Sequence, residues 1–141
     1  MSFSAIYDIA GSAMRAQTVR LDTVASNLAN VDSAAGSEAG AFRAIKPVFS
    51  TLYQRVQDAQ GLAAAQVQIA GVAQSDRTIE KRMEPTNPLA DDDGYVYYSN
   101  VNVVEEMADM MSASRGFETS VEVINRINSM QQGLLRLGQG A

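Results

Sequence analysis

Val103-Val-Glu-Glu-Met-Ala-Asp-Met-Met-Ser-Ala-Ser-Arg-Gly-Phe-Glu-Thr-Ser-Val-Glu-Val-Ile-Asn-Arg-Ile-Asn-Ser-Met130 decides how this chain is read. It places Val103, Met107, Met110, Ser114, Phe117, Val121 and Ile124 at alternating steps of four and three. That alternation keeps one side of an α-helix against a partner helix. Past Ile124 the stripe slips by one step and continues through Ile127, Met130, Leu134 and Leu137. A change of phase predicts a helix that meets different neighbours along its length. Acids (Glu105, Glu106, Asp109, Glu118, Glu122) precede most of the bases (Arg115, Arg126, Arg136), in the order that suits the helix dipole. Asn102-Val-Val-Glu105 reads as a capping-box-like start, and Gly138 and Gly140 as the stop.

The opposite end carries a second stripe: Tyr7, Ala10, Met14, Gln17, Leu21, Val24, Leu28 and Val31, of which only Gln17 is plainly polar. It predicts a helix over residues 4–30, with Ser4 as its cap, Asp8 in the early turns, and Asn30 with Asp32-Ser33 as the stop. The two stripes can close on each other as an intramolecular helical hairpin, or join a larger array of helices. Two helices alone leave much of each stripe uncovered, which favours the array. The expected contact residues are Tyr7, Ala10, Met14, Leu21, Val24, Leu28, Val103, Met107, Met110, Phe117, Val121, Ile124, Ile127 and Leu134. On this reading the ends gain their order when subunits assemble.

Between the helices lies a different kind of sequence. Residues 33–41 are a small-residue joint. Pro47 permits an edge strand in residues 42–56 but not a central one. Residues 57–66 read as a loop or a helical turn. Val67, Ile69 and Val72 mark one strand. Ile79, Lys81 and Met83 mark another, and the two are expected to pair as a β-hairpin. Glu84-Pro85 and Asn87-Pro88 hold an extended loop, Asp93-Gly94 a turn, and Tyr95–Tyr98 an aromatic strand. The expected fold is mainly α with a small β part. Residues 1–32 and 101–141 are the helical layer, paired like a coiled coil, and residues 33–100 are a short hairpin and loop insert.

Composition narrows the function. The chain has 141 residues, a net charge of −5, no Cys and no His. Thiolate and imidazole chemistry, and with them the commonest general base, are absent. No segment is basic, so a nucleic-acid partner is not expected. No run reaches the roughly 18 apolar residues of a membrane span. The start, MSFSAIYDIAG, has neither the charged nor the apolar block of a cleaved secretory signal. Asp91-Asp92-Asp93-Gly94 lacks the alternating ligands of a calcium loop and reads as a solvated turn. Glu105, Glu106 and Asp109 read as helix-start acids rather than an acid–base pair. Tyr95, Tyr97 and Tyr98 have no bases beside them in the sequence and read as a packing or interface strand. No enzymatic activity, metal or cofactor is expected.

Two stretches carry a resemblance. Ser12-Ala-Met-Arg-Ala-Gln-Thr-Val-Arg-Leu-Asp22, followed by Ala25-Ser-Asn27-Leu28-Ala-Asn30, resembles the start of the bacterial flagellar rod and hook axial proteins. Glu84-Pro85-Thr-Asn87-Pro88-Leu89-Ala-Asp91, Gly94-Tyr95-Val96 and Asn100-Val-Asn-Val-Val-Glu-Glu-Met107 are similar to the proximal rod members of that family. The chain departs from the pattern at Val31-Asp32-Ser33, where many axial proteins continue with Thr and a Gly-Tyr step. The resemblance implies a structural subunit whose terminal helices stack into the rod, wall the export channel and carry motor torque to the hook. It implies further copies and other rod proteins as partners, proximal and distal, with an adaptor to the inner-membrane ring. It also implies export through the flagellar type III apparatus to a periplasmic rod without a cleaved signal. The rival reading from the residues is a soluble helical adaptor or export chaperone that holds partner helices.

Overall fold

The computed structural model describes residues 3–55 and 63–139. Its element order is α1 (Phe3–Ala29), β1 (Ala34–Ala35), β2 (Ile45–Arg55), β3 (Ala63–Gln74), β4 (Glu80–Met83), β5 (Tyr95–Tyr98) and α2 (Val103–Gln139). The 27 residues of α1 span about 40 Å and the 37 of α2 about 55 Å. They run antiparallel: Arg20 meets Asp109, Gln17 lies on Gly116, and Tyr7 reaches Asn128 and Gln131. The two helices pair with each other within one chain.

The paired face of α2 differs from the stripe read in the sequence. Among the buried and half-buried positions of α2, Glu106, Met110, Ala113, Phe117, Ser120, Ile124, Ile127 and Gln131 form one line, flanked by the half-buried Glu105, Asp109 and Gly116 on one side and Ser114 and Val121 on the other. This is an unbroken alternation of four and three with no slip at Ile124. Val103, Met107, Met130, Leu134 and Leu137 are exposed and do not belong to it. The apolar criterion overlooked Glu106, Ala113 and Ser120, small or polar residues that close packing accommodates.

Helix ends follow local chemistry. Asn102 Oδ1 accepts the backbone N–H groups of Val104 and Glu105, as an N-cap does. The reciprocal half of a capping box is replaced, because the Glu105 carboxylate turns to Arg77 and Lys46. Ser4 lies inside α1 rather than at its cap, and no acid occupies the first turn of α1.

The β part is larger than a short hairpin. β2 and β3 form a long antiparallel ribbon from Ile45↔Gln74 to Arg55↔Ala63, with an irregularity at Val48/Phe49. Pro47 is tolerated because both strands of a two-stranded ribbon are edges. A separate three-stranded sheet has the order β1-β5-β4, with β5 central. The hairpin expected between residues 67–72 and 79–83 is therefore corrected: β3 pairs with β2, and β4 with β5. β2 falls within residues 42–56, where the sequence permits an edge strand, but its partner β3 is expected from the sequence to pair with residues 79–83 instead. Residues 63–66 are strand rather than loop or helical turn, and the rest of that expected loop lies outside the described residues.

Candidate functional site

The surfaces that hold the fold and those left open make up the candidate site. On α1 the sequence stripe packs inward: Ala10 and Val24 are buried, and Tyr7, Met14, Leu21 and Leu28 half-buried. A second face was not legible as apolar: Ser12, Ala16, Thr23 and Asn27 are buried. It supports the β2–β3 ribbon. The Ser12 hydroxyl donates to the Ile9 carbonyl (2.8 Å) and accepts the Val67 N–H (3.3 Å). Small side chains let the ribbon backbone approach α1 this closely.

Two asparagines aim the ribbon. Asn27, 1% exposed, donates from Nδ2 to the Ile45 carbonyl (2.9 Å) and accepts the Ile45 N–H at Oδ1 (2.8 Å). Asn100 accepts the Ala44 N–H (2.7 Å) and donates to the Arg77 carbonyl (2.8 Å), joining the first residue before β2 to the chain leaving β3. Around this base Glu105 binds Arg77 through both carboxylate oxygens and Lys46 at 3.5 Å. The Arg77 guanidinium, with help from Lys46, holds the Glu105 carboxyl below the usual carboxylate range. Helix-dipole stabilisation alone does not account for Glu105; it is a tie between α2 and the ribbon. Asn30 donates to the Ser26 carbonyl and closes the end of α1.

The Pro85–Tyr95 segment is a compact loop. Asn87 donates to Glu84 (2.9 Å) and accepts the Leu89 N–H (3.0 Å). Asp91 Oδ1 accepts the Tyr95 N–H (2.7 Å) and the Asp93 N–H (3.1 Å), and Oδ2 accepts from the Tyr97 hydroxyl. The Tyr95 N–H, foremost, holds the Asp91 carboxyl below its ordinary value. Glu84, bound by Asn87 and the Tyr98 hydroxyl, is lowered for the same reason. Gly94 has φ +81° with Pro85 against it, the left-handed turn that favours glycine. Pro85, Pro88 and Leu89 face solvent. The tyrosines do have bases beside them, supplied across the sheet by β4. Lys81 Nζ stands 5.0 Å from the Tyr95 ring centre and the Arg82 guanidinium 4.7 Å from that of Tyr98. The sequence missed these because the stacking pairs lie on different strands.

The remaining expected contact residues divide. Met110, Phe117, Val121 and Ile124 are half-buried and Ile127 is buried, within or beside the helix pair. Val103, Met107 and Leu134 are exposed, as are Val104, Met111, Met130, Leu135 and Leu137. Among the described residues no group of His, Cys, Asp and Glu is placed to hold a metal, and no helix is long and apolar enough to cross a membrane.

The sequence matches known proteins over both ends. A family profile described as "Flagella basal body rod protein" covers residues 8–36, and one described as "Flagellar basal body rod FlgEFG protein C-terminal" covers residues 92–137. The flagellar basal-body rod protein FlgC of Salmonella typhimurium is 45% identical over 139 residues, 99% of this chain and 100% of the relative. The chain belongs to the FlgC family of flagellar basal-body rod proteins. FlgC of Escherichia coli O157:H7 is 46% identical over the same span, and FlgC of Bacillus subtilis 28% identical over 94% of this chain. The first profile begins one residue after Tyr7 and includes Asn27 and Asn30; the second holds Gly94, Tyr95, Asn100 and nearly all of α2. Residues 37–91, with the ribbon and the Glu84–Ala90 loop, lie between them.

Proposed function

We propose that this FlgC-family chain is a structural subunit of the flagellar basal-body rod, and that it assembles through the outward apolar sides of its terminal helices. The observation that carries this is the uncovered surface of α2. Val104 is 77% exposed, Met107 56%, Met111 60%, Leu135 66% and Leu137 74%, on a helix whose other face is already paired. Val104, Met107 and Met111 recur at steps of three and four along one side of α2, and an exposed apolar cluster of this kind marks an interaction site. Each such side chain covered by a neighbour contributes on the order of 1 kcal/mol after ordering costs. Many shallow contacts spread along helices of this length resist twist, which suits a shaft that transmits torque. The partners on this reading are further copies and other rod proteins, proximal and distal, together with the adaptor to the inner-membrane ring. The helices would line the export channel, and the subunit would pass through the type III export apparatus to a periplasmic rod. Fractionation tests the reading: a rod subunit sediments with detergent-extracted basal bodies, whereas a chain that stays wholly in the soluble fraction contradicts it.

A further inference from the structure

The α1–α2 pair uses the less apolar of two available faces of α2. Met110, Phe117 and Ile124 are common to both. On one flank stand Glu106, Ala113, Ser120 and Ile127, which are buried or half-buried. On the other stand Ser114 and Val121, which are half-buried, and Val103 and Met107, which are 41% and 56% exposed. A roll of α2 by about 50°, half the angle between successive residues, would exchange the flanks. Burial of apolar area alone favours the second face, since it would replace a carboxylate and small side chains with Val and Met. Glu106 is instead buried, at 3% exposure.

Gln17 opposes that roll. Its side chain lies on Gly116, which belongs to the first flank of α2. A methyl group added at Gly116 would stand 3.0 Å from both Cδ and Nε2 of Gln17. Gly116 is the position on this flank without a side chain; one heptad away lie Asp109 and Val123. Among the described residues, Gln17 Oε1 is the buried side-chain polar atom with no hydrogen-bond partner. A polar residue in a helix seam that lowers stability while selecting one arrangement is a known physical device. Arg20, one turn along α1, binds Asp109 on the same flank of α2 at 2.7 Å.

We infer that Gln17, seated in the notch at Gly116, selects the rotation of α2, so that the more apolar Val103–Met107 flank stays outward. The selection is a property of the single chain. That the outward flank serves assembly rests on the function proposed above.

Thiol labelling tests it in the isolated full chain, which has no cysteine of its own. Single thiols are introduced by Met107→Cys, exposed, and by Ile127→Cys, where the native residue is 5% exposed. Each is combined with Gln17→Leu and, separately, with Gln17→Met, which keeps the length of the side chain but removes the amide. With Gln17 present, the thiol at 107 reacts fast and the one at 127 slowly. With Leu or Met at 17, labelling at 107 slows at least fivefold while labelling at 127 accelerates. The opposed changes distinguish a roll from unfolding, which would speed both. Rates at 107 that stay the same or rise with both replacements overturn the inference, and the Met variant decides should the Leu variant fail to fold. Labelling needs no rod assembly, so this result stands apart from the fractionation result.

Discussion

The Asn27 side chain and the Ile45 backbone hydrogen-bond to each other in both directions, at 2.9 and 2.8 Å, with Asn27 almost wholly buried. One amide thus does the work of a neighbouring strand: it satisfies the N–H and carbonyl of the first residue of β2 and fixes where the ribbon leaves α1. Replacement by Leu leaves both backbone groups unpaired in a dry site. Asn27→Leu is expected to cost about 2–4 kcal/mol, the sum of two lost partners. Urea unfolding measures it, and a loss well under 1 kcal/mol contradicts the role.

Gly94 turns with φ +81° beneath Pro85. Gly94→Ala places an L side chain on a left-handed backbone. The expected loss is about 1–2 kcal/mol. An alanine variant as stable as the parent in the same urea series would show that the loop relaxes freely.

Acid should loosen this fold. Glu84, Asp91 and Glu105 are all held below the ordinary carboxylate range, by Asn87 and Tyr98, by the Tyr95 N–H, and by Arg77 respectively. A group whose folded pKa is depressed lends stability above its unfolded value, about 4, and loses it as pH falls through the folded value. The melting temperature should therefore fall from about pH 5 downward and keep falling below pH 4. Tyr97 and Tyr98 are raised by their carboxylate partners, so their contribution is complete below about pH 10 and is lost as pH rises beyond it. Glu105→Gln should flatten part of the acid limb; an unchanged limb contradicts the Glu105–Arg77 tie.

Both helices were legible because 3.6-residue periodicity survives over long windows. Which face of α2 meets α1 was not. Val103, Met107, Ser114 and Val121 are the stronger apolar pattern, yet the structure buries Glu106 and Ala113 and leaves Val103 and Met107 exposed, with Gln17 seated on Gly116 and Arg20 bound to Asp109. Strand partners were misassigned for a related reason. β3 alternates weakly and could pair with any extended neighbour; what assigns it to β2 is long-range, through Asn27, Asn100 and Ser12. Asn27 stood out as part of a motif, but its buried pairing with Ile45 leaves no local signal. Asn100 lay in a quoted stretch without a role.

The helix seam and the outward face should respond differently to charge. Ile124→Asp places a carboxylate in the half-buried α1–α2 seam and is expected to cost about 2–4 kcal/mol of fold stability. An exposed position such as Met107 should change stability by no more than about 0.5 kcal/mol. Equal melting temperatures for Ile124→Asp and the parent would contradict the seam.

The central claim is that the outward apolar side of α2 joins this subunit to its neighbours in the rod. The most direct test is a Met107→Glu, Met111→Glu double variant, measured for incorporation into purified basal bodies and for swimming, with its melting temperature as control. The account predicts an unchanged melting temperature, a chain missing from the basal bodies, and cells that do not swim. A variant that is incorporated and supports normal swimming would contradict it.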